Sequence, residues 1–266
     1  MRLRCLKHCR QKLGLTSSGK LKFVPLPAFA WCECGLEKFT MKALFAALVL
    51  AAGLLCPCVE AQQYDAQRKE FVERKAKAEQ GDARAQFQLG LHYYLGRGVE
   101  KDFEEAVKWY RKAAEQGNAY AQFNLGGRYF DGEGQKKDFV EAVKWYRKAA
   151  EQGNELAQVT LGISYYLGEG VKKDFVEAVK WYRKAAEQGN AMAQFNLGEC
   201  YADGEGVKKN FVEAYAWLNL AGAAEPEAAT NRDQLAERMT PPQIADSQKR
   251  TRELRAIVEA NAKPAK

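Results

Sequence analysis

Side chains that could run a reaction are scarce in most of this 266-residue chain. Beyond residue 61 there is one histidine, His92, and one cysteine, Cys200. An imidazole activates a thiol only from within hydrogen-bond reach. These two occupy equivalent places three units apart in the repeat described below, at about 10 Å per unit, so one chain cannot pair them. His92 is expected on a helix surface. Cys200 reads as a partly buried thiol, with a disulfide between two copies as the alternative. A metal site would have to be built almost wholly from carboxylates, and those are accounted for by helix caps and helix surfaces. No catalytic residue, metal site or cofactor is therefore expected. The pairs Gly96/Gly98, Gly132/Gly134, Gly168/Gly170 and Gly204/Gly206 have the GxG spacing of a phosphate cradle. They lack the preceding strand and the glycine-rich helix start which that chemistry needs, and read as turns.

Composition narrows the classes further. The chain is 47% hydrophobic and 28% charged with 22 Gly and 7 Pro, which excludes a disordered or collagen-like chain. Its formal charge of +7 is unevenly placed. Residues 1–61 hold 9 Lys/Arg against 3 Asp/Glu and six of the seven cysteines, whereas the remainder holds 32 against 31. The lysine pairs 136–137, 172–173 and 208–209 are interleaved with acidic residues and glutamine, so they read as a solvated outer face and no nucleic-acid partner is expected. Weak attraction to polyanions or anionic headgroups stays open.

From Met41 the sequence has the layout of an export signal. Lys42 precedes the uncharged run Ala43–Cys56, and Val59-Glu60-Ala61 offers small residues at −3 and −1, placing cleavage between Ala61 and Gln62. The run is short for a membrane span and Pro57 ends it, so no integral anchor is expected. Residues 1–40 precede this signal. They are either a non-native upstream extension or a basic, cysteine-bearing segment whose C-x3-C and CxC spacings do not match structural zinc sites. A chain exported and cut at Ala61 keeps only Cys200, and so has no intramolecular disulfide in an oxidising compartment. A cytosolic adaptor would keep residues 1–61.

The rest repeats with a period of 36. Leu89-Gly90 recurs at 125–126, 161–162 and 197–198; Trp109 at 145, 181 and 217; Ala106 at 142, 178 and 214. Residues 136–154 and 172–190 are identical. Such a period signals a solenoid. Each unit predicts two helices. In the second, Phe103, Ala106, Val107, Tyr110, Ala113 and Ala114 form one apolar stripe at helical spacing. Asp102 is its N-cap and Glu105 stands where a capping box needs it. Gly117, Gly153 and Gly189 suit the left-handed residue after the helix. The expected layout is 62–82 as an N-terminal capping helix, repeats over 83–118, 119–154, 155–190 and 191–226, and 227–266 as C-terminal capping helices and tail. There Thr240 is a cap, with Pro241 at N1 and Gln243 at N3 of the last helix.

The pattern A-x-x-x-L-G-x-x-Y-x-x-G-x-G-V-x-x-D-F-x-x-A-x-x-W-Y-x-x-A-A-x-x-G over 85–117 resembles the Sel-1-like repeat, a tetratricopeptide-type array. The resemblance implies an all-α fold, a right-handed α/α solenoid of four two-helix repeats, with first helices lining a concave groove. The second helices are nearly copied and the first ones vary, as a scaffold presenting a surface would. Projected on that geometry, Tyr94, Phe130 and Tyr166 are expected to be exposed in the groove, with Leu91, Ile163, Phe87, Phe123 and Phe195. Arg84, Tyr120, Asp131, Leu156, Val159, Met192, Glu199 and Asp203 join them. For Phe87, Phe123 and Phe195, packing between layers is an equal alternative. The implied function is a monomeric, non-enzymatic, periplasmic or secreted scaffold holding a protein or peptide in an aromatic trough with acidic residues toward one end. The competing implication is β-lactam binding or slow hydrolysis, as in cysteine-rich secreted members, which carry a cysteine pair per repeat that this chain lacks.

Overall fold

The computed structural model describes residues 63–262. The upstream extension, the export signal and the Ala61–Gln62 cleavage point lie outside them. Eleven helices and no strand occur among the described residues. Helix α1 covers 63–79. Four pairs follow: α2 Ala83–Leu95 with α3 Phe103–Glu115, α4 Ala119–Asp131 with α5 Phe139–Glu151, α6 Glu155–Leu167 with α7 Phe175–Glu187, and α8 Ala191–Asp203 with α9 Phe211–Ala221. Then come α10 Pro226–Ala236 and α11 Pro241–Ala262. From α2 to α10 each helix packs on its neighbour in sequence, which makes the array an α/α solenoid.

Local chemistry sets the helix ends. Asp82, Asn118, Asn154 and Asn190 cap the first helices, each accepting from the amide three residues on. Asp102, Asp138, Asp174 and Asn210 do the same for the second helices. The expected capping box does not close at Asp102. Its amide already donates to the Tyr93 carbonyl at 3.0 Å, so Glu105 turns outward and pairs with Lys108 at 2.9 Å. At Thr240 the amide has no such partner and Gln243 accepts from it at 2.8 Å. The second helices end as expected. Gly117 donates to the Ala114 carbonyl and Asn118 to that of Ala113, the two bonds of a left-handed glycine stop.

Packing between layers rests on leucine, alanine and the repeat tyrosine. Leu89, Leu125, Leu161 and Leu197 are wholly buried, as are Ala106, Ala142, Ala178 and Ala214. A Cβ on Gly162 would lie 2.6 Å from the Tyr182 ring, so this glycine lets the tyrosine cross the helix. Each layer is then tied to the next. Trp145 of repeat 2 completes the apolar cluster of repeat 1, and Trp181 that of repeat 2. Arg111, Arg147 and Arg183 donate to the hydroxyls of Tyr129, Tyr165 and Tyr201, eighteen residues on, at 2.7, 2.5 and 2.5 Å. A glutamine ladder runs alongside: Gln122 donates to the Ala114 carbonyl of the layer before and accepts from Gln152 at 2.7 Å.

The ends differ from the repeats. Ala78 and Phe71 of α1 close the first layer over Leu89 and Trp109. At the other end Leu218 stands where the earlier repeats have tyrosine, and α9 is packed by both α10 and α11. Helix α11 buries Ser247, Thr251 and Leu254, pairs Arg250 with Glu213 at 2.7 Å and reaches back to α7, where Asn261 donates to the Glu187 carbonyl at 3.0 Å.

Candidate partner-binding groove

The first helices present one edge to solvent. At the first groove position of each repeat stand Arg84, Tyr120, Leu156 and Met192. All are exposed, Tyr120 by 63%, Leu156 by 49% and Met192 by 50%. Three large apolar side chains on successive layers thus make a continuous row, supported below by Phe87, Phe123, Val159 and Phe195. Phe87 shows how the support works. Its ring stacks on Tyr120 at 6.1 Å and leans on buried Tyr110 at 5.9 Å, so both expected roles, packing and surface, fall to one side chain. Leu91 packs half-buried on the same cluster, and Val159 is buried as floor.

Two hollows open along this row. One, of about 340 Å³, lies between Phe123, Leu156, Val159, Ile163 and Met192. The other, of about 480 Å³, runs from Ile163 and Tyr166 past Met192 and Phe195 to Glu199. Ile163, Met192 and Glu225 line both, which joins them into one trough across repeats 2 to 4. A larger hollow of about 540 Å³ lies elsewhere, between Lys208–Val212 and Gln243, and shares no residue with the row.

The structure gathers Phe123, Ile163, Tyr166 and Phe195 in the trough but leaves Tyr94 and Phe130 out of it. The expected exposure of these last two does not hold. Tyr94 packs on Phe103 at 5.5 Å under the Arg128 guanidinium, 4.3 Å from its ring centre, and Phe130 packs edge-on against Phe139 at 4.9 Å. Each first helix turns straight back into the phenylalanine that opens the second helix, and that ring covers the last aromatic of the first. Tyr166 meets Phe175 in the same way at 5.0 Å, yet its hydroxyl stays at the trough wall and donates to Glu205 at 2.6 Å. That bond, aided by burial, pushes the phenol up to about 12.

Two further expectations are corrected. His92 is not a surface residue: it is 7% exposed, its Nδ1 lies 2.7 Å from the Arg97 carbonyl oxygen, and its ring meets Phe71 of α1. Cys200 is more deeply buried than expected, at 2% exposure, and burial together with Glu205, Asp203 and Glu199 pushes its thiol up to about 12. Both face the layer before their own: His92 meets Phe71 of α1, and Cys200 lies with Tyr166 and Tyr182 of repeat 3. Among the described residues no three His, Cys, Asp or Glu side chains are placed to hold a metal ion, and no helix is long and apolar enough to cross a membrane.

The acidic end of the trough contains residues that repeat reasoning missed. Glu225 is the N-cap of α10 at the end of the last repeat, and Glu227 and Asn231 lie on α10. Asn231 donates to Glu199 at 3.2 Å. Burial raises the Glu199 carboxyl above its ordinary value, Asp203 and Glu227 add to this, and the Asn231 bond opposes it. The available signal was the switch to Ala-Glu-Pro at 224–226 in place of the usual Gln-Gly-Asn, since Pro226 starts a helix where a capping asparagine stood.

With this geometry in place, comparison with known proteins is informative. The Sel1 repeat model matches residues 83–118, 119–154, 156–190 and 191–225, more than half of the chain. The chain belongs to the Sel1 repeat family. Sel1-repeat proteins are typically protein-interaction scaffolds. A protective antigen of uropathogenic Escherichia coli with an SLR fold superposes with a TM-score of 0.58 at 43% identity, over 59% of this chain and 34% of the antigen. A Sel1 repeat protein from Oxalobacter formigenes gives 0.57 at 42% identity, over 59% of this chain and 65% of the other. The secretory immunoglobulin A-binding protein EsiB of Escherichia coli O6:H1 is 47% identical over 39 residues, 15% of this chain and 8% of EsiB. The chain thus spans only part of the length of these relatives.

Proposed function

We propose that this Sel1-repeat protein is an exported, non-catalytic scaffold that holds a segment of another protein along the first-helix face of repeats 2 to 4. In this reading α1, α10 and α11 close the ends of the array. The observation that carries it is the row Tyr120, Leu156 and Met192, about half exposed or more on three successive layers, the last two at the rim of a shared trough. A packed array has no structural need for such a row, and contiguous exposed apolar surface on a folded protein marks an interaction site. Export is supported by the signal layout of Met41–Ala61. Two relatives, an immunoglobulin A-binding protein and a protective antigen, point toward the cell exterior as well.

The test places a photo-crosslinking amino acid at Leu156, at Met192, or at the outward-facing Val140 and Val176 of the second helices, in the protein made in its own cells. Cross-links from positions 156 and 192, absent from 140 and 176 and lost when Tyr120→Ser is added, are the expected result. Equal cross-linking from both faces overturns the groove. Fractionation of the same cells reports export: a mature chain beginning at Gln62 outside the cytoplasm is expected, and an uncut cytoplasmic chain overturns that half of the reading.

A further inference from the structure

We propose that the occupant of this trough is an extended peptide segment carrying a lysine or arginine about three residues beyond an apolar side chain, the apolar group on Met192 and the cation between Glu199, Glu225 and Glu227. The inference rests on the groove reading above and deepens it.

Charge complementarity carries it. Every charged side chain lining the two hollows is acidic: Glu199, Asp203, Glu225 and Glu227. Several helix carboxylates elsewhere are neutralised internally. Glu105, Glu141 and Glu177 each pair with the lysine three residues on, and Glu213 pairs with Arg250. Among the described residues none of the four trough carboxylates takes part in an ion pair, although Glu199 is half-buried, with the Asn231 amide as its hydrogen-bond donor. A half-buried carboxylate without a counter-charge costs stability unless something supplies the charge. Glu199 is the one charged residue at its position, which is Leu91, Gly127 and Ile163 in repeats 1 to 3. An acid replaces an apolar residue just where the row ends.

Geometry selects an organic cation on a flexible stem. No three of these carboxylates converge closely enough to hold a metal ion. Layers of packed helices stand about 8–10 Å apart, and an extended peptide advances about 3.3 Å per residue. A segment crossing Leu156 and Met192 therefore meets the next layer, the start of α10 with Glu225 and Glu227, about three residues later. The groups facing Glu199 are Asp203 on its own helix, Glu227 and Asn231 on α10, and Tyr166, Tyr182 and Cys200 around the floor. None is cationic, so an incoming ammonium or guanidinium relieves repulsion that the empty trough carries. Affinity should accordingly fall as pH drops through the raised range of Glu199, because protonation removes the charge that the cation pairs with.

The experiment is selection of a phage-displayed library of random 12-residue peptides on the purified wild-type protein at low and moderate salt. Enriched peptides should carry Lys or Arg three residues from an apolar position, and more so at low salt. A fluorescein-labelled copy of the most enriched peptide should lose about tenfold or more in affinity when its cation is replaced by citrulline or norleucine. The variant E199Q/E227Q, checked for unchanged helicity, should lose that discrimination while still binding the neutral peptide. Equal affinity for charged and neutral peptides overturns the cation but leaves the groove standing, provided L156E/M192E abolishes binding. Binding that survives L156E/M192E overturns the groove and this inference together. Absence of any enrichment over L156E/M192E does the same.

Discussion

The stacking of one repeat on the next can be tested at two glycines that share a backbone conformation and differ in what surrounds them. Gly153, after α5, has φ +88° and open space where a Cβ would go. Gly170, in the turn of repeat 3, has φ +71°, but its Cβ would lie 2.1 Å from the Phe139 carbonyl oxygen and 2.5 Å from the carbonyl carbon. Alanine at either site takes on the left-handed strain of an L-residue, about 1–2 kcal/mol. At Gly153 that is the whole effect, trimmed by the smaller entropy of the unfolded chain. At Gly170 the new methyl also meets backbone that cannot rotate away, so the first turn of α5 must shift by about 1 Å. Overpacking of this kind costs about 1–3 kcal/mol more. For an array of this size each kcal/mol moves the midpoint by about 2–4 °C. G170A should therefore melt at least several degrees below G153A. Circular dichroism at 222 nm, with heat and with urea, reads both variants. Midpoints rather than extrapolated free energies are compared, because repeat arrays need not unfold in one step. Equal midpoints would refute the description of repeat 3 resting on the backbone of repeat 2.

Three further outcomes follow from buried side chains. W145A should lose about 3–5 kcal/mol as a core aromatic truncation, since Trp145 is 7% exposed and completes the cluster of the preceding repeat; a loss below about 1 kcal/mol contradicts that packing. Cys200, with its thiol pushed up to about 12, should resist a disulfide reagent at pH 8 in the native protein and react at once in urea; fast native reaction refutes its burial. For Glu199 the folded protein holds the carboxyl proton more tightly than the unfolded chain does. Stability is therefore lost as pH rises from the ordinary glutamate range through the raised value, and the penalty persists at neutral pH. E199Q keeps an acceptor for Asn231, so it should raise the thermal midpoint at pH 7 and flatten its dependence on pH in that window. An unchanged midpoint and slope would show the carboxylate to be fully solvated.

The array itself was legible in the residues because repetition carries its own proof. Leu-Gly, Gly-x-Gly, alanine and tryptophan hold register through four units, and caps such as Asp102 and Asn154 act through neighbours three residues away. Contacts between elements were a different matter. Glu105 stood correctly for a capping box, yet Tyr93 from the previous helix had already taken the amide. Tyr94 and Phe130 had the periodicity of groove residues, but the phenylalanines opening the next helices lie over them. His92 looked like surface until α1 was packed beside it.

Local sequence thus determined what repeats, where each helix starts and stops, and which stripe is apolar, since those depend on bonds and spacings within a few residues. The tertiary structure alone decided which varied residues of the first helices remain open and which charges meet at the end of their row. Glu199 is separated from Glu227 and Asn231 by an entire helix. Only the stacking of α10 after the last repeat brings these side chains to one trough, and a period does not say which side chains an irregular helix will present there.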